Sequence, residues 1–229
     1  MNRFRSILPV KLLVPILWEI AFIIVIRLLP TRSLPIYFVF YVGLIWWFRH
    51  DYSFRQGAGR LKDLRGFWLP VVLTMLGMVL CYECKTRILQ RFLFMIPDGA
   101  VNIWMSDSYS GILFYGLTTI FIGPIAEELF FRQAILSWPD GGMEGDTAHG
   151  GAGRVARMAC AVALSLILCG LTHATGWLGI LEAALMVLPL TIAYLRTRDI
   201  HIPMLVHIAF ELYVGFPSVL YVLVRLSLR

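Results

Sequence analysis

Long blocks of apolar residues, separated by short polar segments, run through the whole chain. Each block has close to the roughly 20 residues that an α-helix needs to cross a bilayer. A membrane β-barrel would instead alternate apolar and polar residues over about ten residues, and this alternation is absent. Because unpaired backbone groups are costly in lipid, the pattern predicts an all-α, polytopic membrane bundle. The predicted spans lie at about 12–30, 34–48 and 67–82, from about 111 onward, and at about 156–174, 177–195 and 202–226.

The number of spans depends on the last apolar block, because the sequence Gly215-Phe216-Pro217 interrupts it. This block forms either one broken span or two short helices, which predicts seven or eight spans in total. An interfacial helix and a loop are expected at 85–110, and the glycine-rich stretch 137–154 is predicted to be a flexible loop. The sequence contains no internal repeat, so we predict a single integral membrane domain over residues 1–229.

Composition and charge agree with a membrane location. Hydrophobic residues make up 59% of the chain and charged residues 15%, against about 45–50% and about 25% in soluble domains. The net charge of +6 comes from Arg and Lys in short loops, as the positive-inside rule predicts, and not from a basic face for nucleic acid. The loops at 49–65, 137–154 and 196–198 are therefore expected in the cytoplasm with the N-terminus. We expect a multi-pass protein of the bacterial cytoplasmic membrane that binds no nucleic acid.

Three ionisable residues interrupt the apolar pattern of the fourth span: Glu127, Glu128 and Arg132. Burying a charge near the bilayer centre costs ~2.5–3.5 kcal/mol, so such residues indicate a function. Glu128 and Arg132 are four residues apart, share one helix face and can pair. Glu127 is rotated by about 100° from Glu128 and can face a cavity. The alternative is a triad that only locks helices together.

Two later spans add histidines. His173 lies at the end of the fifth span, four residues after Cys169, and His207 lies four residues before Glu211 in the last span. Each has a simpler interpretation, since a histidine at the end of a span can be an interfacial residue. His207 and Glu211 can likewise be a pair whose members satisfy each other.

Together, the two histidines and the glutamates of three spans predict one water-filled cavity. A buried carboxylate can take a proton from water, and nearby imidazoles can orient that water or stabilise an oxyanion. The serine-hydrolase motif GxSxG and the zinc-peptidase motif HExxH are both absent from the sequence. Two further intramembrane glutamates, Glu19 and Glu182, have no partner by spacing and are predicted to hold helices together.

The three motif segments resemble those of the CAAX-protease and bacteriocin-processing (CPBP) family of intramembrane glutamic endopeptidases. The motif EExxxR is matched in full by residues 127–132. The motif FxxxH is matched at His173, with Cys169 in place of the usual phenylalanine, and HxxxN is matched at His207, with Glu211 in place of asparagine. The motifs occur in the family's order, and the resemblance covers a motif-bearing core at about 111–215.

The resemblance implies a helical bundle with a cavity opening toward the membrane, and a hydrolase that needs neither a cofactor nor a metal. It implies that Glu127, assisted by His173, activates a water that attacks a peptide carbonyl. His207 and Glu211 would form the oxyanion site. The expected substrate is a membrane-associated or lipid-anchored protein or peptide that is cut near its terminus, since members of the family act on prenylated C-terminal tails and leader peptides.

The resemblance also implies that Glu128 and Arg132 support the first motif, but the third motif leaves alternatives open. An ionised Glu211 would repel an oxyanion, so this residue is either protonated or has a different role. His173, His207 and Glu211 would also make a zinc-binding set, with the first-motif glutamate as general base. Other family members act in bacteriocin immunity, so a non-catalytic immunity or interaction protein is a further alternative. A proton-relaying transporter is another.

Overall fold

The computed structural model describes residues 10–29, 33–52, 57, 59–89, 108–141, 151–173 and 176–228. The secondary structure of these residues is helical and contains no strand, which confirms the all-α prediction. Most of the segment predicted to hold an interfacial helix and a loop, at 90–107, lies outside the described residues.

The described residues form helices that we number α1 to α8 in chain order. α1 is Val10–Leu28 and α2 is Ser33–Phe48. α3 runs from Leu64–Trp68 through Leu69–Cys84 to Lys85–Leu89. α4 runs from Tyr109–Tyr115 to Ile135–Gly141, and α5 is Gly151–His173. α6 is Trp177–Met186, α7 is Leu188–Thr197 and α8 is His201–Ser227.

Five helical segments among the described residues are long and apolar enough to cross a membrane: α3, α4, α5, the α6–α7 pair and α8. α2 is apolar but has only 16 residues, and the 19 residues of α1 include Lys11, Glu19 and Arg27. This count does not confirm the predicted seven or eight spans. The predicted break at 215–217 is wrong, because α8 continues through Pro217. Proline fixes φ near the helical value, so a helix can pass through it with the loss of one hydrogen bond.

The glycine-rich stretch at 137–154 is only partly a loop. α4 continues to Gly141 and α5 begins at Gly151, so helix covers both ends of this stretch. The Trp138 side chain packs against the core, and the Ser137 hydroxyl donates a hydrogen bond to the carbonyl of Gln133. These contacts hold the additional turn of α4, and residues 142–150 lie outside the described residues.

Two apolar clusters hold the helices together. The larger joins α1, α2, α4 and α5, and within it the rings of Phe22 and Phe40 stack with their centroids 3.8 Å apart. The smaller joins α3, α7 and α8 through residues such as Met78 and Phe210. The Gly123–Glu127 part of α4 contacts both α2 and α8, so the charged residues of α4 lie where the two clusters meet.

The exposed surface is apolar, whereas the interior carries charge. The side chains of Leu76, Leu113 and Tyr221 are more than half exposed, while Glu128 and Arg132 are fully buried. This distribution is the reverse of that in a water-soluble protein, and it suits a surface surrounded by lipid. Together with the five apolar helices, it makes the chain an integral membrane protein.

α4 widens on both sides of the Gly123–Glu127 turn. Residues Gly116–Ile122 and Glu128–Ala134 form π-helical turns. Pro124 has no backbone N–H and cannot make the regular helical hydrogen bond. π turns are frequent at functional sites. Glu127 therefore ends an α-helical turn, and the next residue begins a wider one.

Candidate active site

The carboxylate of Glu127 lies at the centre of a cluster of polar groups and is 4% exposed. The hydroxyl of Tyr41 on α2 donates a hydrogen bond to Glu127 Oε1 over 2.6 Å. His173 Nε2 is 3.4 Å from the same oxygen. His207 Nε2 is 3.9 Å from the other oxygen, Oε2, which has no hydrogen bond to the described residues. Oε2 is therefore the oxygen of this carboxylate that none of the described groups holds.

A second carboxylate, that of Glu128, fixes the orientation of His207. His207 Nδ1 donates a hydrogen bond to Glu128 Oε1 over 2.8 Å, and this oxygen is also 3.0 Å from Arg132 Nη1. Arg132 Nη2 donates to the carbonyl of Val187, 3.3 Å away, at the break between α6 and α7. Pro189 is the second residue of α7, so a regular helical bond is missing at this break. The ion pair predicted from the spacing of Glu128 and Arg132 is present.

His173 presents its two ring nitrogens to different partners. Nδ1 donates a hydrogen bond to the carbonyl of Cys169 over 2.9 Å, which is one turn earlier on α5. Nε2 faces Glu127 at 3.4 Å. The contact with a backbone carbonyl fixes the ring, because a carbonyl oxygen can only accept a hydrogen bond. The side chain of His173 is 40% exposed and so reaches an open space.

That open space is a cavity of about 280 Å³ between α3, α5, α6 and α8. Its polar wall is formed by Lys85, His173, Glu182, His207 and Glu211. Glu211 is 36% exposed, and its Oε1 lies 3.9 Å from His207 Nε2. Lys85 Nζ lies 3.3 Å from Glu182 Oε2, so a cation–carboxylate pair forms part of the wall. Glu182, which was predicted to hold helices together, links α6 to α3 here.

The structure brings together all six side chains predicted from the three motifs. They come from α4, α5 and α8, and they are Glu127, Glu128, Arg132, His173, His207 and Glu211. Their arrangement provides a buried carboxylate with one oxygen that no described group holds, two imidazoles beside it, and an adjacent cavity of about 280 Å³. Groups of this kind can activate water and stabilise an oxyanion.

Two contacts of the cluster could not be read from the sequence. Tyr41 lies in an apolar block with no spacing relation to any motif, and its partner Glu127 is 86 residues away. Glu19 was assigned to helix contacts, and it accepts a hydrogen bond from the hydroxyl of Thr172, the residue before His173. The sequence signals only that a tyrosine and a glutamate lie inside apolar blocks, and it does not identify their partners.

The donor geometry differs from the predicted zinc set of His173, His207 and Glu211. Among the described residues, the group of donors that lie within 4.8 Å of one another is Glu127, Cys169 and His173. This group shares only His173 with the predicted set. Its imidazole directs Nδ1 to Cys169 and Nε2 to Glu127, so the ring would have to turn before one ion could contact all three donors.

The fold and the cluster define a membrane-embedded helical protein with a glutamate–histidine site beside a cavity. Residues 109–213 match the family model described as type II CAAX prenyl endopeptidase Rce1-like. The matched part contains all three motif segments, and the match confirms the resemblance. The family match implies that the protein is a membrane protease, which is a hydrolase. No curated protein and no solved structure gives a significant match.

Proposed function

We propose that this protein is an intramembrane endopeptidase that uses a water activated by Glu127 to cut a membrane-associated or lipid-anchored protein or peptide near its terminus. The observation that carries the proposal is the free oxygen of Glu127. Oε2 is buried, has no hydrogen bond to the described residues, and lies 3.9 Å from His207 Nε2. Two atoms at this separation can both form a hydrogen bond to one water or carbonyl oxygen that lies to the side of the line joining them.

In the proposed reaction, Glu127 Oε2 takes a proton from water while the water oxygen attacks the peptide carbonyl carbon. His173 Nε2 lies 3.4 Å from the other oxygen of Glu127 and helps to hold the water. The carbonyl oxygen becomes an oxyanion, which accepts a hydrogen bond from His207 Nε2–H. The C–N bond then breaks, and the amine departs with the proton that Glu127 took up. One water is consumed for each bond cut.

Glu128 and Arg132 support His207 in this scheme. A His207 that donates from both nitrogens carries a positive charge, and the Glu128 carboxylate, 2.8 Å from Nδ1, balances it. Arg132 in turn balances Glu128 from 3.0 Å. Buried charges are tolerated when each is paired and hydrogen-bonded, so the chain of three residues keeps the charged imidazole stable in an apolar protein interior.

Glu211 takes the position at which the family usually has asparagine, and we propose that it donates to the same oxyanion as a protonated carboxylic acid. It borders the cavity, and its Oε1 is 3.9 Å from His207 Nε2. A protonated carboxylic acid has one O–H donor, as an amide has N–H donors, whereas a carboxylate has none.

The family description supports a prenylated C-terminal tail as the substrate. The cavity agrees with an apolar ligand, because Met78, Phe210 and Val214 line it beside the polar wall. Neither the family match nor the donor geometry favours the zinc or the non-catalytic alternative.

The substrate class is tested with a farnesylated C-terminal peptide, the same peptide without the lipid, and a leader-type peptide, each offered to protein in lipid nanodiscs.

The mechanism is tested by the change Glu127→Gln. An amide cannot accept the proton of water, and a lost general base typically lowers a rate by about 10²–10⁴-fold, so we expect a loss of kcat of this size. The control is Glu83→Gln, which removes a carboxylate that pairs with Arg87 on α3 and does not line the cavity, and its activity should equal that of the parent. Cleavage by Glu127→Gln at the parent rate would overturn the proposal.

A further inference from the structure

Helices α1 and α2 precede the part of the chain that matches the family, residues 109–213, yet both contact the candidate active site. α2 reaches Glu127 through Tyr41, and α1 reaches the turn before His173 through Glu19. Neither contact belongs to the three motifs. The question is whether these helices only cover the site or take part in its geometry.

The contact from α2 is short and depends on a close approach of two helices. Tyr41 is 3% exposed, and its hydroxyl donates to Glu127 Oε1 over 2.6 Å. The ring lies against Gly123 of α4, where an added Cβ would be only 3.0 Å from Tyr41 Cε2. Glycine at this position therefore lets α2 come near enough for the hydroxyl to reach the carboxylate. The hydrogen bond occupies Oε1 and leaves Oε2 without a partner among the described residues.

The contacts from α1 hold the last turn of α5. Thr172 donates its hydroxyl to Glu19 Oε1, and both side chains are 1% exposed. Arg27 Nη2 donates to the carbonyl of Leu171 over 3.2 Å. The last carbonyls of a helix have no partner within the helix, so a donor from another helix fixes the position of that turn. Leu171 and Thr172 directly precede His173, whose own position is set by this turn.

We propose that α1 and α2 complete the active site, with Tyr41 as the positioning residue of Glu127 and Glu19 as the positioning residue of His173. The inference rests on the proposed function of these two groups. A hydrogen bond of Tyr41 to one carboxylate oxygen fixes the direction of the other, and the contact of Glu19 with Thr172 fixes the distance between the imidazole and the carboxylate. Misplacing a reacting group by about 1 Å can cost about 100-fold in rate.

The first test compares Tyr41→Phe with Tyr37→Phe in the full-length protein, using the peptide that the parent cleaves. Each change removes one hydroxyl from a tyrosine of α2 that is buried to the same degree. Tyr37 contacts the ring of Tyr41 but, among the described residues, makes no hydrogen bond to Glu127. We expect kcat to fall about 10- to 100-fold in Tyr41→Phe with KM within about threefold of the parent, and no comparable change in Tyr37→Phe.

The second test compares Glu19→Gln with Glu19→Leu. Glutamine keeps a carbonyl oxygen that can accept the hydrogen bond of Thr172, whereas leucine does not. We expect Glu19→Gln to restore most of the kcat that Glu19→Leu loses. Equal loss in both variants would show that the negative charge matters and not the position of Thr172, and it would overturn this part of the inference.

The outcomes separate the inference from the proposed function. If Glu127→Gln is inactive but Tyr41→Phe cleaves as fast as Tyr37→Phe, the positioning role is wrong and the mechanism stands. If Glu127→Gln is active, the mechanism itself fails. If Tyr41→Phe loses its cooperative thermal unfolding while Tyr37→Phe keeps it, the hydroxyl serves the fold alone, which also overturns the inference.

Discussion

At the scale of single residues, the site departs from its family's usual pattern at Glu211. An asparagine at this position can donate to an oxyanion from its amide, while a glutamate can do so only when it carries a proton. Glu211 lies on the cavity wall with its Oε1 3.9 Å from His207 Nε2, so both side chains can contact one group bound beside them. In the proposed mechanism the Glu211 side chain takes the place of the asparagine amide, and its role depends on whether the carboxyl group is protonated.

The change Glu211→Asn tests this role. Because asparagine has the donor that the scheme requires, we expect kcat to remain within a few-fold of the parent, whereas Glu211→Leu should lower it by about 10- to 100-fold. Cleavage and zinc content are measured before and after treatment with a chelator. Chelator-resistant cleavage by both parent and Glu211→Asn is the expected result.

The opposite outcome would identify a metal site. If the parent binds about one zinc per chain, as a catalytic zinc site would, and loses activity on chelation and in Glu211→Asn, then Glu211 is a ligand and the metal-free mechanism is wrong. Thus Glu211→Asn distinguishes an oxyanion donor from a zinc ligand with a single substitution.

At the scale of helices, the chain contains two Glu–Arg pairs with the same spacing and opposite surroundings. Glu128 and Arg132 on α4 are both 0% exposed, while Glu83 and Arg87 on α3 are 33% and 79% exposed. Arg132 also bonds to the carbonyl at the break between α6 and α7, so it joins three helical segments. The spacing predicts that both pairs form, but only the packing of the bundle decides which pair matters for stability.

Arg132→Met should therefore destabilise the protein far more than Arg87→Met. Removing one member of a buried pair leaves the other charge uncompensated and typically costs about 3–5 kcal/mol. An exposed pair contributes little, because water and salt screen it. The measurement is the free energy of unfolding of both variants in the same detergent. A similar small change in both would show that the Glu128–Arg132 pair contributes little, and a partial recovery in Glu128→Gln/Arg132→Met would support the role of the uncompensated charge.

The sequence predicted the positions of the helices well, because each is an apolar block with polar ends. It also brought the right side chains of α4 and α8 together, since residues four apart share a helix face. It could not locate the break at Val187. There a proline follows two residues later, and the distant Arg132 donates a hydrogen bond to the Val187 carbonyl. It also could not find Tyr41, because its hydrogen bond joins residues 86 positions apart and depends on how α2 lies against α4.

At the scale of the whole molecule, the described residues contain five clearly apolar spanning helices, and the status of α1 and α2 decides between five spans and seven. The acidic side chain of α1 is directed inward, since Glu19 is 1% exposed, while Lys11 is exposed near the start of the helix. Its outer face carries Leu17 and Ile24, which are 56% and 53% exposed. A helix with an apolar outer face and a buried charge suits lipid, so we expect α1 to cross the membrane.

The outer face of α2 supports the same conclusion. Val39 and Trp46 are 62% and 61% exposed on this helix, and no lysine, arginine, aspartate or glutamate lies within it. Its 16 residues correspond to about 24 Å at 1.5 Å per residue, which is shorter than a hydrocarbon core of roughly 30 Å. A short helix can still cross where the bilayer thins or flanking residues extend to the interface. We therefore expect seven crossings with the N-terminus in the cytoplasm.

Cysteine labelling with a membrane-impermeant maleimide tests this topology. In a background with Cys81, Cys84 and Cys160 changed to serine, single cysteines are introduced in place of Leu29, Lys62 or Leu228. Seven crossings predict that Leu29→Cys and Leu228→Cys react in intact cells, because both lie outside, whereas Lys62→Cys reacts only after lysis. If Leu29→Cys also needs lysis while Leu228→Cys does not, α1 and α2 remain on the cytoplasmic side and the count of five is right. The two helices that hold Tyr41 and Glu19 against the site would then have to reach it from the membrane surface, which their apolar outer faces argue against.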